Sequence, residues 1–378
     1  MRRWVLAIVG GAVVAAGISL APVQAVTLTP TDPGRQCGWP IAYPGEGNYA
    51  YPDTNAAYFV QAAIIDPGDR IVISGVHPKA RYWSMQTYRF SDSTLLDSVN
   101  DVTVKSIGKG AKARWTLTVV PPGADKGRDP NVLTAAGAFD GVTFGSNITV
   151  IMLRVYVSKT AGPSGGPLPS VTLISGKGKT AKTTKLATCT PEQVGPPENR
   201  PVLEPAVGAT SRFGRGASER FYPSADTSYL VAQQAYERNS IVVVTGKAPR
   251  IRKDVRYWSL CQNVNLGDLP VVDCLRDEQI TLDSQGFYRI AVASTEQISR
   301  ADRAAYRDVD FLDWGQPTAG SYADSFLLFR NVLPSNRFAG AISRVPVGAF
   351  ADDHIGDYAP VLTVMSRAEF DSAFRTQS

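Results

Sequence analysis

The chain has 378 residues, of which 44% are hydrophobic, and carries a formal net charge of +5. This length is more than one hydrophobic core usually serves and suits two domains. The charge is too small to indicate a nucleic-acid partner, and none is expected.

The first 25 residues have the features of a signal peptide. Arg2 and Arg3 precede an uncharged stretch from Trp4 to Ala21, and the small-x-small pattern of signal-peptidase sites follows at 23–25. We therefore predict an exported protein, secreted or associated with the cell envelope. An uncleaved membrane anchor is the alternative, because eighteen such residues can just span a bilayer.

Four cysteines remain in the exported chain, and their even number predicts two disulfides. The spacing favours Cys37 with Cys189 and Cys261 with Cys274. A zinc site is the alternative, but the chain has two histidines and lacks a Cys-x-x-Cys motif. We expect neither a metal site nor a cofactor.

The chain repeats itself. Residues 51–60 match 222–231 at an offset of 171, and the same offset carries 71–75 onto 242–246. After a four-residue insertion, 81–85 aligns with 256–260. Matches that keep one order over a hundred residues predict an internal duplication. The predicted organisation is a signal peptide at 1–25, a first repeat at 26–195 and a second repeat at 196–378.

Each repeat is predicted to form strands, because short β-branched runs are separated by Gly, Pro, Asn and Asp clusters. The predicted strands are 71–74, 82–88, 115–120 and 148–157, then 241–245, 257–264, 288–293 and 326–332. Capping-box spacing predicts two helices, which begin after Ser294 and Ser366. The expected fold class is all-β, with two tandem antiparallel β-sandwich or jelly-roll domains and a few short helices.

Several motifs of the first repeat are similar to a known family. They are an Arg-Tyr-Trp-Ser strand at 81–84, Asn-Val-Leu at 131–133, Leu-Arg-Val-Tyr at 153–156 and a Pro-rich tail at 163–169. Together they resemble the bacterial jelly-roll domains of unknown function of the 1214 type. The resemblance implies a β-sandwich, and it implies no catalytic residues because that family has no settled chemistry.

Three local motifs have functional and structural interpretations. Gly162 to Gly166 matches the nucleophile elbow around Ser164, with His354 as a base, but the following Pro-Leu-Pro cannot open the helix that this motif needs. Residues 176–180 end like a phosphate-binding loop that lacks its first glycine. Asp352, Asp353 and Asp357 lack the alternating spacing of a calcium loop and are expected to form a solvated acidic loop.

The repeats share a set of residues that could bind a ligand. Its members are Arg81, Trp83 and Arg154 in the first repeat and Arg256, Trp258 and Arg330 in the second. A guanidinium beside an indole can hold a sugar ring by stacking and bidentate hydrogen bonds. The structural alternative is that each tryptophan packs between sheets while Arg154 or Arg330 pairs with Asp101 or Asp277.

Three classes of function follow. The preferred one is a binding protein for a cell-envelope polysaccharide without catalytic residues, because sandwich faces suit carbohydrates and fifteen Tyr and six Trp supply stacking groups. Residues 101–190 hold twelve Lys or Arg against four Asp, which would suit an anionic partner, but such a stretch is more often a solvated face. The second is a glycan hydrolase using Asp97 with Asp101, or Asp273 with Asp277, although four residues along a strand separate such groups by about 13 Å. The third is a structural module that binds a protein partner through an apolar surface.

Overall fold

The computed structural model describes residues 37–43, 52–110, 113–190, 211–216, 222–264, 270–315 and 325–376. The described part of the first half contains eleven strands. They are β1 (Ile41–Tyr43), β2 (Ala56–Ile64), β3 (Arg70–Val76), β4 (Ala80–Arg89), β5 (Leu95–Asn100), β6 (Ser106–Ile107), β7 (Arg114–Val120), β8 (Val132–Thr134), β9 (Ile148–Ser158), β10 (Ser170–Ser175) and β11 (Lys182–Leu186).

The second half contains eight strands and an α-helix in its described part. They are β12 (Thr227–Gln234), β13 (Ser240–Lys247), β14 (Tyr257–Val264), β15 (Val271–Arg276), β16 (Phe287–Ala293), β17 (Asp310–Asp313), β18 (Ser325–Val332), β19 (Val361–Ser366) and α1 (Arg367–Phe374). Short 3₁₀ turns lie at Gly178–Thr180, Asp277–Gln279, Asp302–Ala305, Ile342–Arg344 and Gly356–Tyr358.

Each half is a sandwich of two sheets, and four strands of each sheet follow the same order in both halves. The order β2-β9-β4-β5 corresponds to β12-β18-β14-β15, and β10-β3-β7-β8 corresponds to β19-β13-β16-β17. The first half also has β1, β6 and β11. In each of the sheets that contain β3 and β13, one short strand pairs in parallel, β8 with β7 and β17 with β16. The predicted all-β sandwich fold is confirmed.

The eight predicted strands are confirmed with small changes at their ends, because alternating apolar residues fix them locally. The helix predicted after Ser366 is also confirmed, and the side chains of Ser366 and Glu369 form a capping box. The helix predicted after Ser294 is wrong. Ser294 and Gln297 do exchange capping hydrogen bonds, but the chain continues through turns to the 3₁₀ turn Asp302–Ala305.

The hydrophobic core of each half lies between its two sheets. In β7, Trp115, Leu117 and Val119 are buried and alternate with polar residues, as expected for a strand with one face on a core. Gly75 and Gly246 occupy equivalent positions opposite Trp115 and Tyr288. A Cβ at either glycine would meet the facing ring, at 3.0 Å from Trp115 and 2.6 Å from the Tyr288 hydroxyl. Both positions therefore require glycine for close packing.

Both predicted disulfides, Cys37–Cys189 and Cys261–Cys274, are confirmed. Such bonds are typical of proteins that fold in an oxidising compartment outside the cytoplasm. Within the described residues, no helix is long and apolar enough to cross a bilayer. The predicted signal peptide and the predicted boundary between the repeats lie outside the described residues.

Candidate functional site

The sheets containing β4 and β14 are the inner sheets, because they face each other and join the two halves. Tyr82 and Tyr156 of the first half pack with Tyr257 and Val332 of the second in one buried cluster. The rings of Tyr156 and Tyr257 meet edge to face with centroids 5.2 Å apart. Both faces of each inner sheet are therefore covered, one by its own core and one by the other half.

The two tryptophans of the shared set lie in the sandwich cores. Trp83 is 2% exposed and stacks on Trp115, while Trp258 is 1% exposed and packs against Tyr288 and Phe329. In this structure neither indole is open to a sugar ring. This arrangement matches the structural alternative, in which the tryptophans pack between the sheets.

Two members of the shared set form crossed ion pairs between the halves. Arg81 of the first half pairs with Asp277 of the second at 2.5 Å, and Arg256 of the second pairs with Asp101 of the first at 2.7 Å. Burial raises the pKa of Asp101 and Asp277, and the guanidinium facing each one opposes the rise. Because the aspartates pair in this crossed way, the expected pairing of Arg154 or Arg330 with them is wrong.

Arg154 and Arg330 are instead buried between the inner sheets. Arg154 donates to the Gln86 side chain and the Tyr88 hydroxyl, both at 2.6 Å, and to the Tyr222 carbonyl oxygen. Arg330 lies 3.4 Å from the Asp53 carboxylate and donates to Cys261 Sγ. These contacts link residues distant in sequence, so the two arginines fix how the halves sit together.

Two aspartates in the turns before β2 and β12 complete this interface. Asp226 accepts from the Tyr82 hydroxyl at 2.6 Å, and Asp53 accepts from the Tyr257 hydroxyl at 2.7 Å. Burial raises the pKa of Tyr82 and Tyr257 well above 10, so both hydroxyls keep their protons and donate. The sequence analysis did not select either aspartate. When the sequences of the two halves are aligned, each aspartate matches a residue of a different type, so neither belongs to the shared set.

The carboxylates of the hydrolase hypothesis are each bound to different groups. Asp97 accepts from Lys126 and from the backbone and side chain of Thr134, whereas Asp101 faces Arg256. Asp273 accepts from the Cys274 amide, whereas Asp277 faces Arg81. Neither predicted pair forms a shared acid and base site in this structure.

The other predicted motifs form local structure. The Ser164 hydroxyl donates to the Gly166 carbonyl at 2.5 Å, within a turn. Asp352 and Asp353 of the acidic loop pair with Arg212. Among the described residues, one group has donor atoms close enough for a metal, Asp53 with Cys261 and Cys274, but both of these sulfurs are in the disulfide.

His77 and Ser106 form a polar pair that is present in the first half alone. His77 Nε2 lies 2.7 Å from Ser106 Oγ, and His77 Nδ1 lies 3.3 Å from Trp83 Nε1. Because an indole N–H can only donate, Nδ1 accepts and Nε2 carries the proton. In this tautomer His77 donates to Ser106 and cannot act as its base. Alignment of the repeats would have shown the pair, since Ala248 and Leu282 occupy the equivalent positions.

This geometry predicts that His77 stabilises the fold less as the pH falls. Burial lowers the pKa of His77, and protonation would place a second proton on Nδ1, facing the Trp83 donor. The folded pKa lies below the unfolded one, so the stabilisation is full above about pH 6.5 and is lost as the pH falls below it. Melting temperatures of the wild type and His77→Phe, compared at pH 7.5 and pH 5, should converge at the lower pH. A constant difference would contradict this assignment.

The outer sheet of the first half, β11-β10-β3-β7-β6, has an open polar face. Ile71 and Ile73 point into the core, so Arg70 and Ser74 point outward. The outward side chains of β3, β7, β10 and β11 include three cations and six hydroxyl residues. They are Arg70, Arg114 and Lys185, with Ser74, Thr116, Thr118, Ser170, Thr172 and Thr183. The half-buried side chains of Val72, Val76, Val120 and Ile174 lie between them on the same face. No carboxylate is among the outward side chains of these four strands.

The equivalent face of the second half is apolar and covered. Ile241, Val243 and Ala291 of its outer sheet pack under Phe370 of α1 and Tyr306. The two sandwiches therefore differ at their outer sheets, although their inner sheets are alike. This difference between the two halves makes the open face the candidate functional surface.

Exposed aromatic side chains are scarce in the described residues. They are Phe139 and Phe144, which are 56% and 71% exposed on the loop between β8 and β9. Every tryptophan and tyrosine whose side chain the structure describes is buried or half-buried. Ring stacking by tryptophan or tyrosine is therefore not offered by the described surface.

The architecture defines an all-β protein of two sandwiches joined through their inner sheets. No family model matches the chain, and no curated protein matches it. A crystal structure of an uncharacterised protein from Burkholderia cenocepacia is similar with a TM-score of 0.53 and 10% identity, over 85% of this chain and 79% of that one. A crystal structure of a protein from Vibrio parahaemolyticus has a TM-score of 0.42 and 14% identity, over 83% of this chain and 90% of that one. The first similarity shows the fold alone.

Proposed function

We propose that this is an exported binding protein whose open outer sheet holds an anionic polysaccharide of the cell envelope. The observation that carries the proposal is the open face with three cations, six hydroxyl residues and no carboxylate on its four main strands. The signal-peptide pattern and the two disulfides support export. The matching sequence segments and the shared strand order support an origin by duplication.

The chemistry of the face favours a polymer that carries both hydroxyl groups and negative charge. Ser and Thr hydroxyls both donate and accept hydrogen bonds, which suits sugar hydroxyls. Arg70, Arg114 and Lys185 form no ion pair within the described residues, so their charges remain available to carboxylate or phosphate groups. The Ser74 and Thr116 hydroxyls on adjacent strands lie 3.0 Å apart and form a hydrogen bond to each other at the surface.

The spacing of a sheet also suits an extended ligand. Strands lie about 4.8 Å apart, and outward side chains recur about every 6.6 Å along each strand. The row formed by Lys185, Thr172, Val72 and Thr118 crosses the sheet through β11, β10, β3 and β7, so it combines a cation and two hydroxyls with one apolar contact. A linear polymer lying along such a row can contact several strands at once.

Binding should depend on the cations of this face. We expect the exported protein to co-sediment saturably with insoluble anionic envelope polysaccharide, without releasing sugar into the supernatant. The triple variant Arg70→Gln, Arg114→Gln, Lys185→Gln should bind about tenfold more weakly, because each exposed ion pair contributes about 0.5 kcal/mol. Added salt should weaken binding of the wild type through screening.

The matched control is Arg238→Gln, Lys253→Gln, Arg337→Gln, which removes the same charge from exposed positions of the second half. This control should bind like the wild type. Equal loss in both triple variants would mean that overall charge, not the face, drives binding. Release of sugar would favour the hydrolase hypothesis, and absence of both binding and release would reject the glycan proposal.

A further inference from the structure

The edges of the sheets in the described residues are protected in different ways. An exposed strand edge presents unpaired backbone groups to other chains, and proteins commonly shorten, charge or cover it. β1 and β6 have three and two residues. β11 carries Lys182 and Lys185, β15 carries Asp273 and Arg276, and β17 begins and ends with aspartate.

Two further edges are covered by neighbouring segments. Gly214 exchanges two backbone hydrogen bonds with Val231 at the edge of β12. Thr134 of β8 donates its amide to Asp97 beside β5. These contacts occupy part of each edge.

β19 has none of these protections. Its sequence, Val-Leu-Thr-Val-Met-Ser, contains no charge and no proline, and Val361 and Val364 are 51% and 40% exposed. One side of β19 pairs with β13, and Val361 to Met365 form no other backbone hydrogen bond within the described chain. In the first half the equivalent strand, β10, is covered on this side by β11. The described part of the second half therefore has no counterpart of β11, and its sheet could accept one more strand beside β19.

We propose that β19 pairs antiparallel with β19 of a second copy, so that two four-stranded sheets become one continuous sheet. A twofold axis at Thr363 would place Leu362 opposite Val364 on one face of the sheet. On the other face Val361 would lie opposite Met365, and Thr363 would lie opposite its own symmetry mate.

This register matches apolar with apolar side chains on both faces and brings no charges together. Cross-strand pairs of β-branched and apolar residues are the units that stabilise a sheet. The strand is thus complementary to itself, which is what an isologous dimer requires. The pairing leaves the open face of the first half free and does not depend on the proposed function.

Concentration-dependent sedimentation of the full exported protein tests the proposal. We expect a reversible dimer for the wild type, and at least a tenfold weaker dimer for Val364→Lys, because a lysine on the edge opposes pairing. Val347→Lys is the matched control, since Val347 is 55% exposed away from the strand. A wild type that stays monomeric, or a Val364→Lys variant that dimerises like the control, would overturn the proposal.

A single introduced thiol gives a second measurement that does not require the edge to be disrupted. All four native cysteines are in disulfides, so Thr363→Cys carries the one free thiol of the chain. Residues directly opposite in an antiparallel pair lie about 4.5 to 5.5 Å apart, which a disulfide can bridge. Thr363→Cys should form a covalent dimer on oxidation at least tenfold faster than Val347→Cys. Equal rates of covalent dimer formation for the two cysteine variants would overturn the proposed register. Binding of a foreign β-strand peptide by a wild type that remains monomeric would overturn it as well.

Discussion

Replacing Cys37 and Cys189 together with alanine should lower the free energy of unfolding by about 5 kcal/mol. This disulfide closes a loop with a sequence separation of 152, so it removes much of the freedom of the unfolded chain. It also ties the segment before β1 to the segment after β11, where Gly38 and Ala187 share a backbone hydrogen bond of 2.7 Å. Urea unfolding of the double variant and the wild type measures the difference.

The second disulfide provides the control for this prediction. Cys261–Cys274 closes a separation of 13, for which the same loop-entropy argument gives about 3 kcal/mol. The Cys261→Ala, Cys274→Ala variant should therefore lose less stability than the Cys37→Ala, Cys189→Ala variant. A loss of stability below about 2 kcal/mol for the Cys37→Ala, Cys189→Ala variant would contradict the prediction. It would show that this disulfide restrains the unfolded chain less than the loop-entropy argument requires.

The strands and the disulfides could be predicted because their determinants are local or repeated. In residues 115–120, apolar residues alternate with polar ones. This local pattern alone predicts that Trp115, Leu117 and Val119 lie on one face of a strand. Alignment of the repeats also indicates which elements recur, and the same strand order appears in both halves. The prediction after Ser294 was wrong because a capping box defines a helix start but not the turns that follow it.

The candidate site was harder to predict because it depends on how the halves meet. The β4 sequence is buried on both faces, with Trp83 and Met85 on one and Tyr82 and Gln86 on the other. That pattern is a local sign of a strand covered on both sides. It does not reveal what covers the second face, so the crossed pairing of Arg81 with Asp277 could not be derived from the sequence.

The open face escaped sequence reasoning for a related reason. Its cations lie on β3, β7 and β11, far apart in sequence, and they come together only through the strand order. The excess of lysine and arginine in residues 101–190 indicated charge without placing it. Comparison of the two outer sheets identifies the open face. The helix α1 covers the outer sheet of the second half, whereas no described helix covers the outer sheet of the first half.

Asp53→Ala should destabilise the protein by about 3 to 5 kcal/mol, because it removes the carboxylate facing a buried guanidinium. Asp53 accepts from the Tyr257 and Ser259 hydroxyls at 2.7 and 2.8 Å and lies 3.4 Å from Arg330. Arg330 is 1% exposed, so water cannot replace the lost carboxylate without opening the interface. The loss is measured by urea unfolding against the wild type.

A double variant separates the cost of a buried charge from the cost of lost packing. If the uncompensated charge of Arg330 causes the loss, Asp53→Ala with Arg330→Met should be more stable than Asp53→Ala alone, since an apolar replacement removes the charge. Asp352→Ala, which breaks the exposed pair with Arg212, should leave stability nearly unchanged. A double variant no more stable than Asp53→Ala would show that hydrogen bonding to Tyr257 and Ser259, not the ion pair, holds the two halves together.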